Sequence, residues 1–261
     1  ACEGLEETEI SLVELHINLP YRRVLADLAR GKPDVIGFSC YIWNISYVLR
    51  LCRALRLALP IGLENVMMCG AMIATTRIVA PLGAAAIAAN SFAVTAESLC
   101  YMPGYGIAEA AAALTGQSAG AGRQDLTRRF ARMAVWIGVG IMALTGAAMF
   151  AGAPFMMSLL TPEEEIRQLG IRILRIEVFA EPLYAASIVA SGALRGTGDT
   201  MIPSVMNFVS IWFVRIPLAL LLVAGCGLSG VWIAMCLELC FRGTIFLIRL
   251  YHEKWLKVSR T

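Results

Sequence analysis

The 261-residue chain is 58% hydrophobic and 16% charged, with a formal net charge of +3. Soluble domains average about 45–50% and about 25% on these two measures, so the composition excludes an ordinary soluble protein. The small net charge gives nucleic acid no basic surface to bind.

Read in chain order, the first sixty residues differ from the rest. Residues 9–17 alternate apolar and polar and predict a strand. Pro20–Arg30 has helical spacing and stops at Gly31. The apolar, aromatic run 34–43 reads as a buried strand, and Asn44 as the cap of a helix carrying Leu49, Leu51 and Leu55. This βαβα order predicts a small α/β piece over residues 1–60, too short to bury much surface alone. The run KPDVIGFSCYIWN within residues 4–60 resembles the N-terminal cobalamin-binding-like domain of radical-SAM proteins. That resemblance would imply a cobalt ligand and a cluster, but His16 lacks the Asp and Gly partners of the ligand loop, and C-x-x-x-C-x-x-C is missing. His16 therefore reads as a surface histidine, and no cofactor is expected. The chain begins Ala-Cys-Glu, without Met or a secretory signal pattern, which predicts truncation at its start.

From Pro60 onward hydrophobic runs dominate. At ~20 apolar residues per crossing, six spans are predicted at 61–81, 84–103, 128–150, 168–193, 202–224 and 227–249. Small residues within them, such as Gly192/Gly196 and Gly138/Gly140, suit close helix–helix approach in lipid. Cys69, Cys100, Cys226, Cys236 and Cys240 lie in the apolar runs and read as reduced packing residues, with neither a metal site nor a disulfide framework in their spacing. Arg123, Arg128, Arg129, Arg132 and Arg195 flank the second and fourth connections, while Glu163–Glu165 mark the third as acidic. The positive-inside rule then predicts both termini on the cytoplasmic side of a multi-pass protein in the cell membrane.

Six motifs in order resemble the C-terminal six-helix repeat of multidrug and toxic compound extrusion (MATE) transporters. They are LPIGLE (59–64), PLGAAAIAANSF (81–92), GYGIAEAAAALTGQSAGAGR (104–123), GALRGTGDTMIPS (192–204), WFVRIPLA (212–219) and GLSGVWIA (227–234). The resemblance implies a mainly α fold, half of a twelve-helix carrier, and no enzymatic activity. It implies antiport of organic, often cationic, compounds against protons or sodium, with a missing N-terminal repeat or a second copy as partner. The GQSAGAGR and LRGTGDT stretches read as turns, with Asp199 capping the next helix.

Ionisable groups within spans are costly and so mark function by default. Glu177 and Glu181 lie four residues apart on the fourth span, in line with Tyr184, Ser187 and Ser191, and Pro182 predicts a kink beside them. A desolvated carboxylate there is suited to load and release a proton. The alternative is structural, with Glu177 paired to Arg172 or Arg175. The family's acidic position on this helix falls where Tyr184 stands. Glu64 belongs either to a cation pathway or to the favourable field of a helix N-terminus. Glu97 is a further candidate, or an ion-pair partner of Arg77 or Arg215. Arg215, Glu238 and Arg242 read as fasteners between helices, and Arg215 alternatively as a group orienting the transported ion.

Three readings follow: a half of a cation-coupled efflux carrier, a membrane-anchored cobalamin or radical-SAM enzyme, and a chimera of two truncated genes joined at Leu59–Pro60. A lipid-linked-sugar flippase is the alternative within the transporter superfamily, and a cationic cavity lining would mark it.

Overall fold

The computed structural model describes residues 45–252 and 255–256, with side chains from Gly62 onward. The strands and helix expected within residues 1–44, and His16 with them, lie outside the described residues. The chain divides into two compact units, Ala1–Leu59 and Pro60–Thr261, and the second is described below.

Among the described residues every element is helical. In chain order they are α1 (Ile45–Val79), a 3-10 turn (Ala80–Leu82), α2 (Ala84–Gly120) and α3 (Gln124–Leu160). There follow α4 (Glu164–Glu177), α5 (Glu181–Gly196), α6 (Met201–Val209), a π-helical turn (Ser210–Arg215) and α7 (Ile216–Tyr251). Gly227 breaks α7 with φ 57° and ψ −137°, a conformation that a side chain would oppose. That break stands where the boundary between the fifth and sixth spans is expected.

Several boundaries differ from the sequence expectation. Pro60 lies within α1. Pro103 lies inside the 37-residue α2, so most of GQSAGAGR is helix and the turn is confined to residues 121–123. Packed neighbours make such a proline tolerable in a membrane helix. At 37 residues each, α2 and α3 are ~55 Å long and overrun a ~30 Å hydrocarbon core. The fourth span is not one helix. It breaks between Glu177 and Glu181, with Pro182 at the start of α5.

Among the described residues three stretches are long and apolar enough to cross a membrane: Gly62–Leu82, Gln124–Leu160 and Met201–Tyr251. The expected second and fourth spans fall short of that mark for a physical reason. Asn90, Ser91, Thr95, Glu97 and Ser98 dilute α2, while α4 and α5 carry Arg172, Arg175, Glu177 and Glu181 and are each too short. Of these, α5 is an inner helix. Eleven of the sixteen residues of α5 are buried, and it packs on α2, α3 and α7.

Glycine permits that packing. A Cβ on Gly192 would strike the Ala108 carbonyl, and one on Gly196 the Ala112 carbonyl and Thr115 Oγ1. Thr115 Oγ1 also donates to the Ala193 carbonyl at 3.0 Å, so α2 and α5 touch backbone to backbone. Gly138 likewise admits Val189, whereas Gly140 faces open space and is no interface residue. Gly104 and Gly170 receive the fully buried thioethers of Met142 and Met157. Trp232 Nε1 donates to Asn90 Oδ1 at 3.0 Å, fastening α7 to α2. All five of the described cysteines are free thiols. Cys100 is buried, but Cys69 and Cys226 are exposed and do not pack inside the bundle.

Candidate functional site

Two polar clusters interrupt this apolar bundle. The first lies where the start of the second unit meets α5 and α6. Glu64 Oε1 accepts from Arg195 Nη2 and Asn207 Nδ2, both at 2.7 Å, and Oε2 accepts from Ser204 Oγ at 2.7 Å. Glu64 sits well inside α1, which begins at Ile45, so the field of a helix N-terminus does not account for it. Its hydrogen bonds join α1 to α5 and α6. Near it, Asp199 does not cap α6, as its sequence position suggested; Thr200 precedes that helix, and Asp199 pairs instead with Arg249 of α7.

The second cluster gathers around the break between α4 and α5. Glu177 closes α4 and Glu181 opens α5, so the pair flanks the interruption in the backbone. Each is 1% exposed, and all four of their carboxylate oxygens lack a hydrogen-bond partner. The alternative pairing of Glu177 with Arg172 or Arg175 does not form, and Arg175 stacks over the Phe150 ring at 5.2 Å. Gly146 of α3 leaves the room that the Glu181 stem occupies, its Cβ position lying 3.4 Å from Glu181 Cβ and Cγ. Ser187 and Ser191 follow along the buried face of α5, and Ser191 Oγ is also without a partner.

Opposite stands a saturated carboxylate. Glu238, wholly buried in α7, accepts from Ser210 Oγ at 2.5 Å and from Arg215 Nε and Nη2 at 3.0 and 2.6 Å. Arg242 Nε lies 3.2 Å from it, one helical turn on. The π-helical turn widens the backbone where Ser210 and Arg215 both reach this one acid. Arg242 also lies over the Tyr184 ring at 5.3 Å, and Tyr184 meets Tyr101 edge to face, with centroids 6.0 Å apart.

Glu97 of α2 completes the set. It is 6% exposed and lies in electrostatic range of Arg215, Arg242, Glu177 and Glu181. The pairing of Arg215 with Glu238 displaces the expected Glu97–Arg215 bridge. Among the described residues the cluster therefore holds four carboxylates, Glu97, Glu177, Glu181 and Glu238, against two guanidiniums that both converge on Glu238. Full ionisation would leave an excess of two negative charges away from water, a cost of several kcal/mol. The arrangement favours taking up protons or a small cation. Sequence reasoning found each of these residues as a charge within a span. The i,i+4 spacing of Glu238 and Arg242 pointed to their pairing, which forms; sequence reasoning missed that Arg215 would join the same acid, a contact across 23 residues.

Comparison with known proteins agrees with this architecture. The MatE family model matches residues 60–221. The probable multidrug resistance protein NorM of Thermotoga maritima is 29% identical over 205 residues, covering 78% of this chain and 44% of that protein. The protein of the same description from Idiomarina loihiensis is 24% identical over 290 residues, covering 95% of this chain and 63% of the relative. That alignment takes in most of residues 1–60 as well. The resemblance to a cobalamin-binding domain, and with it the chimera, finds no support in these matches. The bent form of the Vibrio cholerae MATE transporter VcmN shares the fold, with a TM-score of 0.76 at 18% identity over 90% of this chain and 52% of that one. The chain spans about half the length of the curated relatives it matches.

Proposed function

This chain belongs to the MatE family, and on that premise we propose that it is one six-helix repeat of a cation-coupled carrier exporting organic, drug-like compounds. The observation that carries the coupling is the pair Glu177/Glu181, buried, unpartnered and placed at a helix break, beside a cluster with more acids than bases. Intramembrane carboxylates of this kind are costly unless they are used. Protons or sodium ions entering the cluster offset its excess of two negative charges, and their departure restores the repulsion between Glu97, Glu177 and Glu181. The break between α4 and α5 supplies the joint at which that repulsion acts on the backbone. Arg215 and Arg242, held by Glu238, keep a fixed positive wall on one side and leave the other carboxylates to exchange the ion.

The same reading places both termini on the cytoplasmic side, from the arginines of the second and fourth connections. A complete cavity is formed with an N-terminal repeat or with a second copy of the chain. The test is uptake of a fluorescent organic cation by inverted membrane vesicles carrying the chain together with a MatE N-terminal repeat. Uptake driven by an imposed proton or sodium gradient is expected, and its loss in Glu181→Gln with normal protein levels. Wild-type uptake by the Glu177→Gln/Glu181→Gln double variant would overturn the assignment.

A further inference from the structure

One face of α5 joins the two polar clusters described above. Tyr184, Ser187, Ser191 and Arg195 follow one another at three- and four-residue spacing and so lie in a single line along the helix. Glu181 opens that line at the helix break. Arg195 closes it at the pair with Glu64, ~21 Å further on at the rise of an α-helix. The side chains open steadily toward that end. Glu181 is 1%, Ser187 3% and Ser191 6% exposed, and the Arg195 side chain 34%.

Ser191 stands apart from the other buried hydroxyls. Thr115, Ser118 and Ser187 each donate to a carbonyl of their own helix, the usual way to satisfy a hydroxyl within a helical bundle. Ser191 Oγ makes no such bond and has no other partner among the described residues. One turn on, Arg195 gives its Nη2 to Glu64, while its Nε is buried and likewise without a partner among them. Two orphaned polar atoms therefore follow each other on one buried face. An apolar side chain at position 191 would avoid that cost, so the hydroxyl points to a small polar occupant. Water bonded to Ser191 Oγ and Arg195 Nε satisfies both. A file of hydroxyls and waters passes protons, because each member both accepts and donates. A sodium ion is poorly served, since between Glu181 and Glu64 the line offers no carboxylate and ends at a guanidinium, which has no lone pair to give.

We propose that the α5 face from Glu181 through Ser187 and Ser191 to Arg195 is the route by which a proton leaves the acid cluster for the cytoplasmic end of the bundle, with Ser191 positioning the water that carries it. The Glu181 carboxylic acid gives up the proton and returns to carboxylate. Successive exchange of O–H bonds delivers the proton to water at the Arg195–Glu64 end, and nothing is oxidised or consumed. The inference rests on the carrier reading and adds to it the identity of the coupling ion and a residue that guides it.

Two assays on inverted vesicles carrying the chain together with a MatE N-terminal repeat test this. Uptake of the fluorescent organic cation under an acid-inside gradient requires a proton to cross. Exchange of labelled for unlabelled cation at equal pH moves the bundle without one. Ser191→Ala is expected to slow gradient-driven uptake about tenfold and to leave exchange within about twofold of the parent. Its melting temperature should match the parent's, since the hydroxyl has no partner to lose. Ser158→Ala, which removes an exposed hydroxyl of α3, should leave both rates unchanged. Parental rates for Ser191→Ala in both assays, or equal slowing of both, would overturn the route. Uptake driven by a sodium gradient alone would also overturn it while leaving the carrier reading in place, whereas parental uptake by Glu177→Gln/Glu181→Gln would overturn both.

Discussion

Replacing Glu238 by alanine removes the acceptor of Ser210 and Arg215 and the ion-pair partner of Arg242 at one stroke. Arg242 is 6% and Arg215 18% exposed in their side chains, so both guanidiniums would be left largely out of water. Stranding a buried charge by deleting its partner costs about 3–5 kcal/mol. Glu97 and Glu177 lie in electrostatic range of Arg215 and recover part of that, so a net loss of about 3 kcal/mol is expected. For a body near 200 residues, at ~2–4 °C per kcal/mol, the melting temperature should fall by roughly 6–12 °C. Thermal unfolding in detergent, followed by size-exclusion fluorescence, reads this directly. The triple variant Glu238→Leu/Arg215→Leu/Arg242→Leu removes the charges together and should recover most of the loss, as apolar replacement of buried ion pairs does. A melting temperature within 2 °C of the parent for Glu238→Ala, or a triple variant less stable than the single one, would refute the view that this acid neutralises two stranded arginines.

Other expectations follow from the same structure. Glu177→Gln and Glu181→Gln remove charges that have no partner, so thermal stability should hold or rise by about 1 kcal/mol while transport is lost; a fall in melting temperature would mark them as structural. Gly196→Ala forces a Cβ against the Ala112 carbonyl and should cost about 1–3 kcal/mol, whereas Gly140→Ala, with open space around it, should stay within about 0.5 kcal/mol; melting curves of the two variants separate these outcomes. Trp232→Phe deletes the donor to Asn90 and should cost about 1 kcal/mol, visible as a drop in melting temperature of ~2–4 °C.

The helical bundle and the break beside Pro182 were legible because both rest on local signals, apolar runs and a missing backbone donor. Glu177, Glu181 and Glu97 stood out for the same reason, as charges in apolar surroundings. Of the pairings only Glu238–Arg242, at i,i+4, followed from spacing. Glu64 meets Arg195 across 131 residues and Glu238 meets Arg215 across 23, and no periodicity encodes either. Local rules even misled at Asp199, whose capping position was outweighed by Arg249, and over GQSAGAGR, read as a turn but helical through Gly120. Apolarity also undercounted the inner helix α5, which is mostly buried against protein and carries polar residues accordingly.

The π-helical turn at Ser210–Arg215 makes the aim of this span a matter of residue counting. Each residue of an α-helix turns the chain by ~100°, and a π turn holds one residue more than its α counterpart. Loss of a single codon between Ser210 and Arg215 would thus leave a regular α turn with the helices on either side close to their present phase. Ser210 and Arg215, then four residues apart, would still share a face. The same loss elsewhere in the span has no such turn to absorb it and rotates one part of the helix against the other by about that angle. The π turn is therefore the place where this span tolerates a change of length, and its flanks are where a deletion is the sharper instrument.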